Sequence, residues 1–510
     1  MGGPGLVLGA RADLVPATSN YLAFDLGAES GRAILARFDG ERLTLEEAHR
    51  FVNGPLRVLD SLHWDARRLF DEMKKGLAAA ARLTGDRLSS LGVDTWGVDY
   101  ALLDGDGALL ENPYHYRDAR TNGIMEKLFA IVPRGTIFAR TGIQVMQLNT
   151  LYQLFAARSR HPHLLELART LLMMPDLFHY WFTGRAVSES TIASTTQFYD
   201  PGAGAWAPDL LEALGIPARI LPELVPPGTP LGMLLDSVAA DAGVSPIPVI
   251  APASHDTASA VAAVPAQGAD WAYLSSGTWS LLGAEVPAPV INQATLDANF
   301  TNEGGAWGTI RLLKNISGMW LLEECRRAWA REGANLGYAE LCEAALAARP
   351  FAAILDPDDA SFLAPGDMPA KIAAFCRRTG QPDPQTPGET ARAIFESLAL
   401  KYRHVLRLLE KILGRSCRVL HIVGGGSRNA VLCQFTADAT GIPVVAGPEE
   451  ATAVGNVLLQ AMALGHLRTA EEARDLVRRS FEPRSYQPGS RQLWEAAAQR
   501  ASSIFLESTS

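Results

Sequence analysis

The chain has 510 residues, of which 48% are hydrophobic and 20% charged, so it holds enough apolar material for two or more domains. This balance excludes global disorder and a single small module. The 46 basic and 55 acidic residues give a net charge of −9, so we expect no broad positive surface and no nucleic-acid partner.

Residues 1–19 contain Gly, Pro and Ser without hydrophobic periodicity, and no basic region precedes their short apolar patch. We interpret them as a poorly ordered N-terminal extension, not a signal peptide. The five cysteines form no CxxC pair, which indicates a reducing compartment and no zinc site. Because no segment has about 18 consecutive apolar residues, we predict a cytoplasmic protein without a membrane partner.

The folded part is expected to open with a β-hairpin. Residues 21–25 and 33–38 are apolar runs separated by a turn of small residues, and residues 44–52 predict a third strand. Residues 64–83 carry apolar side chains at helical spacing, with Asp65 in the first turn. A buried strand follows at residues 88–93, so the pattern predicts an α/β domain with a mixed sheet.

The opening pattern recurs in the second half of the chain. Residues 200–247 are rich in Pro and Gly and predict loops or weak strands. From residue 271, a strand, a small-residue turn and another strand, the last at residues 280–285, predict a second hairpin, which indicates two related halves. The remaining predicted elements are a helix at 387–413, a strand at 419–423, a helix at 429–440, a strand at 443–446 and a helix at 450–463.

The two predicted hairpin turns are the first candidate site. In Asp25–Arg32 (DLGAESGR), small residues leave backbone N–H groups free to point at an anion, and glycine permits close approach of a phosphate. An ordinary tight hairpin is the alternative for this segment alone. A similar turn at Ser276–Thr278 suggests that both turns grip the phosphates of one nucleotide. The sequence lacks a Gly-Lys dipeptide, which excludes a Walker P-loop.

The second candidate site is Ser254–Thr257 (SHDT), which follows a strand-like run and precedes an apolar run that can start a helix. Thr257 would cap that helix, and Asp256 would stand in a cleft. The alternative is an aspartate that merely caps the helix. A Ser-His-Asp triad is excluded, because adjacent residues cannot align in that way and the sequence lacks a G-x-S-x-G elbow.

Two further segments admit both a functional and a plain structural interpretation. Gly424–Asn429 lacks the last glycine of a dinucleotide fingerprint, so it is either a glycine floor for a nucleoside or a simple loop. In Gly92–Tyr100, a Trp beside Gly and Asp provides either a sugar pocket or a core Trp with two exposed acids. Lys314 and Asn315 are by default a surface pair.

Together these residues resemble the FGGY family of carbohydrate kinases, from about residue 21 past residue 465. The resemblance rests on eleven segments in order: AFDLGAESGR (23–32), GVDTWGVDY (92–100), YRDARTNG (116–123), NTLYQL (149–154), MPD with TG (174–176, 183–184), ASHDTASAV (253–261), YLSSGTWSL (273–281), TNEGG (301–305), LKNI (313–316), HIVGGG (421–426) and AGPEEA (446–451).

The resemblance implies an α/β, two-domain, actin-like ATPase (ribonuclease H-like) fold with an interdomain catalytic cleft. Residues 20–264 would form the N-terminal domain on the sugar and phosphate side, and residues 265–490 the C-terminal domain on the nucleotide side. Residues 491–510 would be a C-terminal tail.

The resemblance also implies the site residues. Asp256 would be the catalytic base, and Asp25 would lie near Mg²⁺ through water. The implied ATP contacts are Ala28, Glu29, Ser30, Gly31, Arg32, Thr278, Glu323 and Gly425. The implied sugar contacts are Gly97, His255, Asp256, Thr257 and Asn315. Glu323 stands where the family pattern leads us to expect Gln.

Segments 92–100 and 116–123 are similar to those of the family members that phosphorylate L-rhamnulose. The resemblance therefore implies ATP-dependent transfer to O1 of L-rhamnulose, giving L-rhamnulose 1-phosphate, in L-rhamnose degradation. A kinase for L-fuculose, L-ribulose or xylulose is one alternative. A non-catalytic, actin-like assembly or regulatory protein is the other.

Overall fold

The structure is a computed structural model that describes residues 18–489 and 491–507. Most of the predicted N-terminal extension, residues 1–17, lies outside the described residues. Across the described chain, no helix combines the length and the apolar character needed to cross a membrane. The five cysteines are free thiols.

The first half of the chain mixes strands and helices. Its strands are β1 (Ser19–Leu26), β2 (Ser30–Phe38), β3 (Leu43–Val52), β4 (Leu56–Val58), β5 (Ser61–His63), β6 (Ser90–Thr95), β7 (Tyr100–Leu103), β8 (Thr170–Met173), β9 (Val187–Glu189), β10 (Tyr199–Asp200), β11 (Ala205–Trp206), β12 (Glu223–Val225), β13 (Thr229–Met233) and β14 (Pro248–Ala251). Its helices are α1 (Ala66–Thr84), α2 (Ile124–Phe129), α3 (Arg134–Thr141), α4 (Thr150–Arg160), α5 (Pro162–Leu167), α6 (Met174–Thr183), α7 (Ser190–Ala193), α8 (Pro208–Ala213), α9 (Asp236–Ala242) and α10 (Asp256–Ala262).

The main sheet of this half has the strand order β13-β14-β6-β1-β2-β3. β1 and β2 pair antiparallel across a tight turn, which confirms the predicted opening hairpin, and β3 continues the antiparallel pairing. β6 and β14 join on the other side as parallel strands. Because both faces of β1 are covered, its sequence is a nearly continuous apolar run instead of an alternating one.

Two local predictions in this half are wrong. Asp65 is the N-cap of α1 and not part of its first turn, because its carboxylate accepts a hydrogen bond from the Arg68 N–H at 3.2 Å. The stretch 200–247 contains helices α8 and α9 besides its strands. Pro208 begins α8, where the missing N–H of proline needs no partner, so the proline content of this stretch does not exclude a helix.

The second half repeats the arrangement of sheet and helices. Its strands are β15 (Trp271–Ser276), β16 (Trp279–Val286), β17 (Thr301–Gly304), β18 (Ile310–Ser317), β19 (Val419–Val423), β20 (Val444–Ala446) and β21 (Arg484–Tyr486). Its helices are α11 (Gln293–Asp297), α12 (Trp320–Arg331), α13 (Tyr338–Ala347), α14 (Met368–Arg378), α15 (Pro387–Leu413), α16 (Ala430–Thr440), α17 (Ala451–Ala463), α18 (Ala470–Ser480) and α19 (Arg491–Glu507).

The second main sheet has the order β17-β18-β16-β15-β19-β20-β21. β15 and β16 form an antiparallel hairpin, and β19 lies parallel to β15 as β6 lies parallel to β1. The predicted recurrence of the opening hairpin is therefore confirmed.

The long helix α15 shows how the sequence sets its limits. Thr386 and Glu389 form a capping box at its start, and Gly414 ends it in the left-handed conformation. The predicted C-terminal tail contains helix α19, whose Trp494 packs in one apolar cluster with Leu400 of α15. This part of the tail is thus attached to the second half.

Helices α10 and α17 pack against each other between the two sheets. Apolar residues of both halves form one continuous core here, in which Tyr21 and Ile34 of the first sheet share a cluster with Val454 and Leu458 of α17. Two buried polar residues of α17 add hydrogen bonds to the first sheet: the Asn456 amide donates to Asp94 at 2.6 Å, and the Gln460 amide donates to the Leu22 carbonyl at 3.0 Å. The two halves therefore share a core beneath the cleft.

Candidate active site

A cavity of about 370 Å³ lies where the two hairpin turns face each other. The parallel strands β1, β6 and β14 end at this cavity, the edge of an α/β sheet at which ligands commonly bind. The predicted site residues that line it are Asp25, Ala28, Glu29, Ser30, Arg32, Gly97, His255, Asp256, Thr257, Thr278, Asn315 and Gly425. The sequence motifs thus converge on one place.

Two predicted site residues do not belong to the lining of this cavity. Gly31 lies behind the first turn, where an added Cβ would come within 2.2 Å of the Phe51 ring, so this glycine allows the strands to pack closely. Glu323 lies on α12, and its carboxylate binds Arg326 at 3.1 Å and accepts a hydrogen bond from the Tyr338 hydroxyl. Because these partners occupy the carboxylate, the nucleotide contact of Glu323 stays a prediction.

The first turn is held by hydrogen bonds from outside its own hairpin. Within the turn, the Gly27 N–H donates to the Ser30 carbonyl at 2.9 Å. Asn53 donates from its side-chain amide to the Gly27 carbonyl at 2.7 Å and from its backbone to the Glu29 carbonyl at 3.0 Å. With its carbonyls fixed in this way, the turn keeps one shape facing the cavity.

Arg32 connects the first turn to the second half of the chain. Its guanidinium binds the carboxylate of Asp25 on β1 and the carboxylate of Glu450, which precedes α17. Attraction by Asp25 is the main cause that raises the pKa of Arg32. The positive charge therefore stays beside the turn.

The second turn is built from backbone and small side chains. The Gly277 N–H donates to the Trp279 carbonyl at 2.8 Å, and the Thr278 carbonyl accepts the N–H groups of Gly318 and Trp320 at 3.1 and 3.2 Å. These last bonds join the turn to the start of α12, so its neutral groups are held rigidly against the second sheet.

A glycine floor packs against the second turn. An added Cβ on Gly426 would come within 2.6 Å of the Ser276 Cβ and 2.0 Å of its Oγ, so only glycine allows this contact. At Gly425 an added Cβ would meet no atom within 4 Å, and the residue is exposed to the cavity. Gly426 therefore allows close packing against the second turn, whereas Gly425 leaves open space in the cavity.

Asp256 is the first residue of α10, and its side chain is about 30% exposed at the cavity and otherwise buried. Its Oδ1 accepts hydrogen bonds from the Thr257 backbone N–H and hydroxyl, the latter at 3.0 Å. Burial raises the pKa of Asp256, His255 opposes this, and Asp25 adds to it. The predicted cap residue of this helix is wrong, because His255, not Thr257, precedes the first turn.

His255 and Gly97 form the wall beside Asp256. Nε2 of His255 lies 3.4 Å from Oδ1 of Asp256, and a Cβ added to Gly97 would lie 3.3 Å from the same Nε2. Thr95 N–H donates to the Ser254 carbonyl at 3.0 Å, which fixes the end of β6 to the SHDT segment. Glycine at position 97 therefore leaves room next to the histidine.

Asn315 on β18 meets the first half of the chain through Gln144. Oε1 of Gln144 accepts the Asn315 backbone N–H at 2.8 Å and its side-chain amide at 3.1 Å. Gln144 also lines the cavity, as do Asn149 and Thr195. Asn315 is thus not a surface residue, and a neighbour that no motif indicated orients its amide.

For the GVDTWGVDY segment, the alternative of a core Trp with two exposed acids is wrong about the acids. Asp94 and Asp99 are fully buried, not exposed. Oδ2 of Asp99 accepts the indole N–H groups of Trp64 at 2.6 Å and Trp96 at 3.0 Å, while Oδ1 accepts the Gln153 amide at 2.8 Å. Burial raises the pKa of Asp99 to about 6. Asp99 therefore orients the Trp96 wall, and it does not line the cavity itself.

Sequence reasoning missed several lining residues. Gln144 and Thr195 belong to no motif, and Glu303 was noted only inside the TNEGG segment. Glu303 lies in a run of polar residues, TNEG, whose burial only the structure reveals, so its place in a segment that resembles the family was the one signal it offered. Gln144 lies in a loop and offered no comparable signal.

Comparison with known proteins identifies the family of the chain. Sequence models of the N-terminal and C-terminal domains of the FGGY family of carbohydrate kinases match residues 20–263 and 272–464. The chain belongs to the FGGY family of carbohydrate kinases. Its membership establishes a sugar kinase that uses ATP and a small sugar.

Two curated FGGY relatives are both called rhamnulokinase. The one from Bacteroides thetaiotaomicron is 48% identical over 94% of this chain and 98% of its own length. The one from Enterococcus faecalis is 43% identical over 92% of this chain and 94% of its own length.

Solved structures of a xylulose kinase and a glycerol kinase share the architecture. The superposition on a ligand-bound xylulose kinase from Lactobacillus acidophilus covers 96% of each chain, with a TM-score of 0.77 and 16% identity. A Plasmodium falciparum glycerol kinase with ADP covers 96% of this chain and 97% of its own, with a TM-score of 0.73 and 15% identity. The predicted two-domain α/β kinase fold is confirmed, while the domain limits at residues 264 and 265 stay a prediction.

Proposed function

We propose that this kinase transfers the γ-phosphoryl group of ATP to O1 of L-rhamnulose and releases L-rhamnulose 1-phosphate and ADP, as a step of L-rhamnose degradation. The observation that carries the proposal is the relatedness to rhamnulokinases at 48% and 43% identity over more than nine tenths of the chain. The cytoplasm, where ATP is made, is the proposed compartment.

In the proposed reaction, O1 of the ketose attacks the γ-phosphorus while the bond from that phosphorus to the ADP oxygen breaks. The Asp256 carboxylate accepts the O1 proton, and ADP leaves with the bonding electrons. A raised pKa suits this task, because a carboxylate of higher pKa is a stronger base, although it must remain ionised at the working pH. Asn315, His255 and Gly97 line the acceptor end and orient the sugar.

The phosphate groups of ATP would lie between the two turns. Backbone N–H groups of Ala28, Glu29 and Ser30 and the side chain of Thr278 are the proposed donors, with Gly425 beneath the nucleoside. Arg32 lies beside the first turn, where the carboxylates of Asp25 and Glu450 balance its charge. Most of the rate acceleration would come from this positioning and from electrostatic stabilisation.

Asp25 is the proposed contact for Mg²⁺, through water. Among the described residues, no group of three or more His, Cys, Asp or Glu side chains is arranged to hold a metal ion. One carboxylate beside the phosphate turn still suits Mg²⁺, because this ion usually retains waters and binds one or two carboxylates together with substrate phosphates. When bound, Mg²⁺ would neutralise negative charge on the phosphates.

A coupled ADP-release assay across L-rhamnulose, L-fuculose, L-ribulose and xylulose tests the proposal. We expect the highest kcat/KM for L-rhamnulose and slow ATP hydrolysis without sugar, because closure of the halves excludes water from the acceptor end. The Asp256→Asn variant is the matched control for contaminating kinases. A higher kcat/KM for another ketose would contradict the assigned substrate, and fast hydrolysis without sugar would contradict a sugar kinase.

A further inference from the structure

A fully buried arginine that no motif indicated lies behind the acceptor end of the cavity. Arg311 lies on β18, directly opposite Glu303 on β17 in the antiparallel register. Since side chains alternate along a strand, Arg311 shares a face with Asn315, the residue that meets the proposed sugar. Arg311 itself is not part of the cavity lining, so it acts on the site through a neighbour.

That neighbour is His255, which comes from the other half of the chain. Nη2 of Arg311 lies 2.9 Å from Nδ1 of His255 and 3.1 Å from Oε2 of Glu303, while Nε of Arg311 donates to the Gly304 carbonyl at 2.8 Å. A guanidinium only donates hydrogen bonds. Nδ1 of His255 must therefore accept, and in a neutral imidazole the proton is then on Nε2.

Glu303 favours the opposite tautomer of His255, so Arg311 must act against it. Its Oε2 lies 3.4 Å from Nδ1 of His255, close enough to attract a proton to that nitrogen. A proton on Nδ1 would leave Nε2 as a bare acceptor, 3.4 Å from the carboxylate of Asp256. Two acceptors would then face each other beside the reacting hydroxyl. Nη2 of Arg311, at 2.9 Å, lies closer to Nδ1 than Glu303 does, and its ion pair with Glu303 offsets the attraction of that carboxylate for a proton on Nδ1.

We infer that Arg311 is a positioning residue, which holds His255 in the tautomer that donates a hydrogen bond from Nε2 into the acceptor end of the cavity. This Nε2–H stabilises the ionised form of Asp256 or binds an oxygen of the sugar. The inference rests on the proposed function only for the identity of that sugar. It also links the halves, because the arginine on the second sheet orients a histidine of the first.

The tautomer itself can be measured without any assay of activity. We would label the full-length protein with ¹⁵N-histidine and record long-range ¹H–¹⁵N correlations, which distinguish the protonated from the bare ring nitrogen. The His255→Gln spectrum assigns the signals. We expect a bare Nδ1 and a protonated Nε2 at neutral pH. A proton on Nδ1, or on both nitrogens, would overturn the inference whether or not the protein phosphorylates L-rhamnulose.

Kinetics of Arg311→Met then test the consequence. We expect kcat/KM for the ketose to fall by about 10- to 100-fold, with a raised ketose KM. Without Arg311 the proton of His255 moves to Nδ1, and the bare Nε2 then faces Asp256 as an acceptor. The KM for ATP should change less than about twofold. In Arg311→Met/Glu303→Leu no acceptor holds the proton on Nδ1, so part of the loss should be recovered.

Arg392→Met is the matched control, because it breaks another largely buried pair, between Arg392 and Glu396 of α15 at 2.8 Å, away from the cavity. We expect it to retain the ketose KM even where it lowers stability. An equal rise of the ketose KM in this control, or an unchanged ketose kcat/KM in folded Arg311→Met, would overturn the inference. A parent protein inactive on every ketose would contradict the proposed function and leave the tautomer measurement decisive.

Discussion

The two ends of the cavity are built from different materials. At the nucleotide end, the second turn and the glycine floor present backbone groups and small side chains, fixed by backbone bonds such as that from Gly318 to Thr278. At the acceptor end, charged and aromatic side chains such as Asp256 and Trp96 are fixed by other buried side chains. Under the proposed function, the phosphates common to all nucleotides would bind to backbone groups, whereas one particular sugar would require a set of oriented side chains.

The largest effect is expected from a substitution at the acceptor end. Asp256→Asn should lower kcat by about 10²- to 10⁴-fold, the usual contribution of a general base, with ATP binding nearly unchanged. Single-turnover kinetics and ATP titration measure the two quantities separately. Activity within a few-fold of the parent protein would refute the role of Asp256, and a matching loss of ATP affinity would refute the division between the two ends.

The stability that Asp99 contributes, while it holds Trp96 at the acceptor end, should depend on pH. Burial raises the pKa of Asp99 to about 6 from 3.8, so the folded state binds the proton more tightly than the unfolded state. Its contribution to stability is fully present below pH 3.8 and is lost as the pH rises through 6, a change of about 3 kcal/mol.

Urea unfolding of the parent protein and of Asp99→Asn between pH 4 and 7 measures this contribution. The difference in free energy of unfolding between parent and variant should decline across this range, because asparagine does not titrate there. A difference that is constant with pH would show that the carboxyl group of Asp99 titrates normally.

At the second turn and the glycine floor, steric change should matter more than charge. Gly426→Ala places a Cβ within 2.6 Å of the Ser276 Cβ, so we expect a loss of about 1–3 kcal/mol in the free energy of unfolding. Thermal and urea unfolding measure the loss. An unchanged stability would mean that the second turn and the glycine floor move apart easily, contrary to the rigid end described here.

Gly425→Ala is the neighbouring substitution with the smallest expected effect. Its Cβ meets no protein atom within 4 Å and points into open space at the cavity, so stability should be unchanged. The KM for ATP should rise about 3- to 10-fold, because the methyl group occupies space proposed for the nucleoside. A rise in the ketose KM instead would contradict the assignment of Gly425 to the nucleotide end of the cavity.

The same difference explains which parts of the site the sequence could predict. The turns at Asp25–Arg32 and Ser276–Thr278 and the glycine floor were recognisable, because backbone geometry imposes glycine and small residues locally. Gln144 and Arg311 were not, since they lie far from the motifs in sequence and only tertiary packing brings them to Asn315 and His255. The two hairpins, strands β6 and β19 and helices α1, α15, α16 and α17 followed from periodicity. Strands β17 and β18 and helix α12 were not predicted, and α8 and α9 were hidden by their proline- and glycine-rich surroundings.

The shared core around α17 has a consequence for any attempt to dissect the enzyme. A fragment ending near residue 264 would expose Tyr21 and Ile34, while the complementary fragment would expose Val454 and Leu458. Neither piece has another partner for this surface, so each should aggregate when expressed separately. Co-expressed fragments, by contrast, can bury it together, which makes a split version of the kinase feasible only as a reassembled pair.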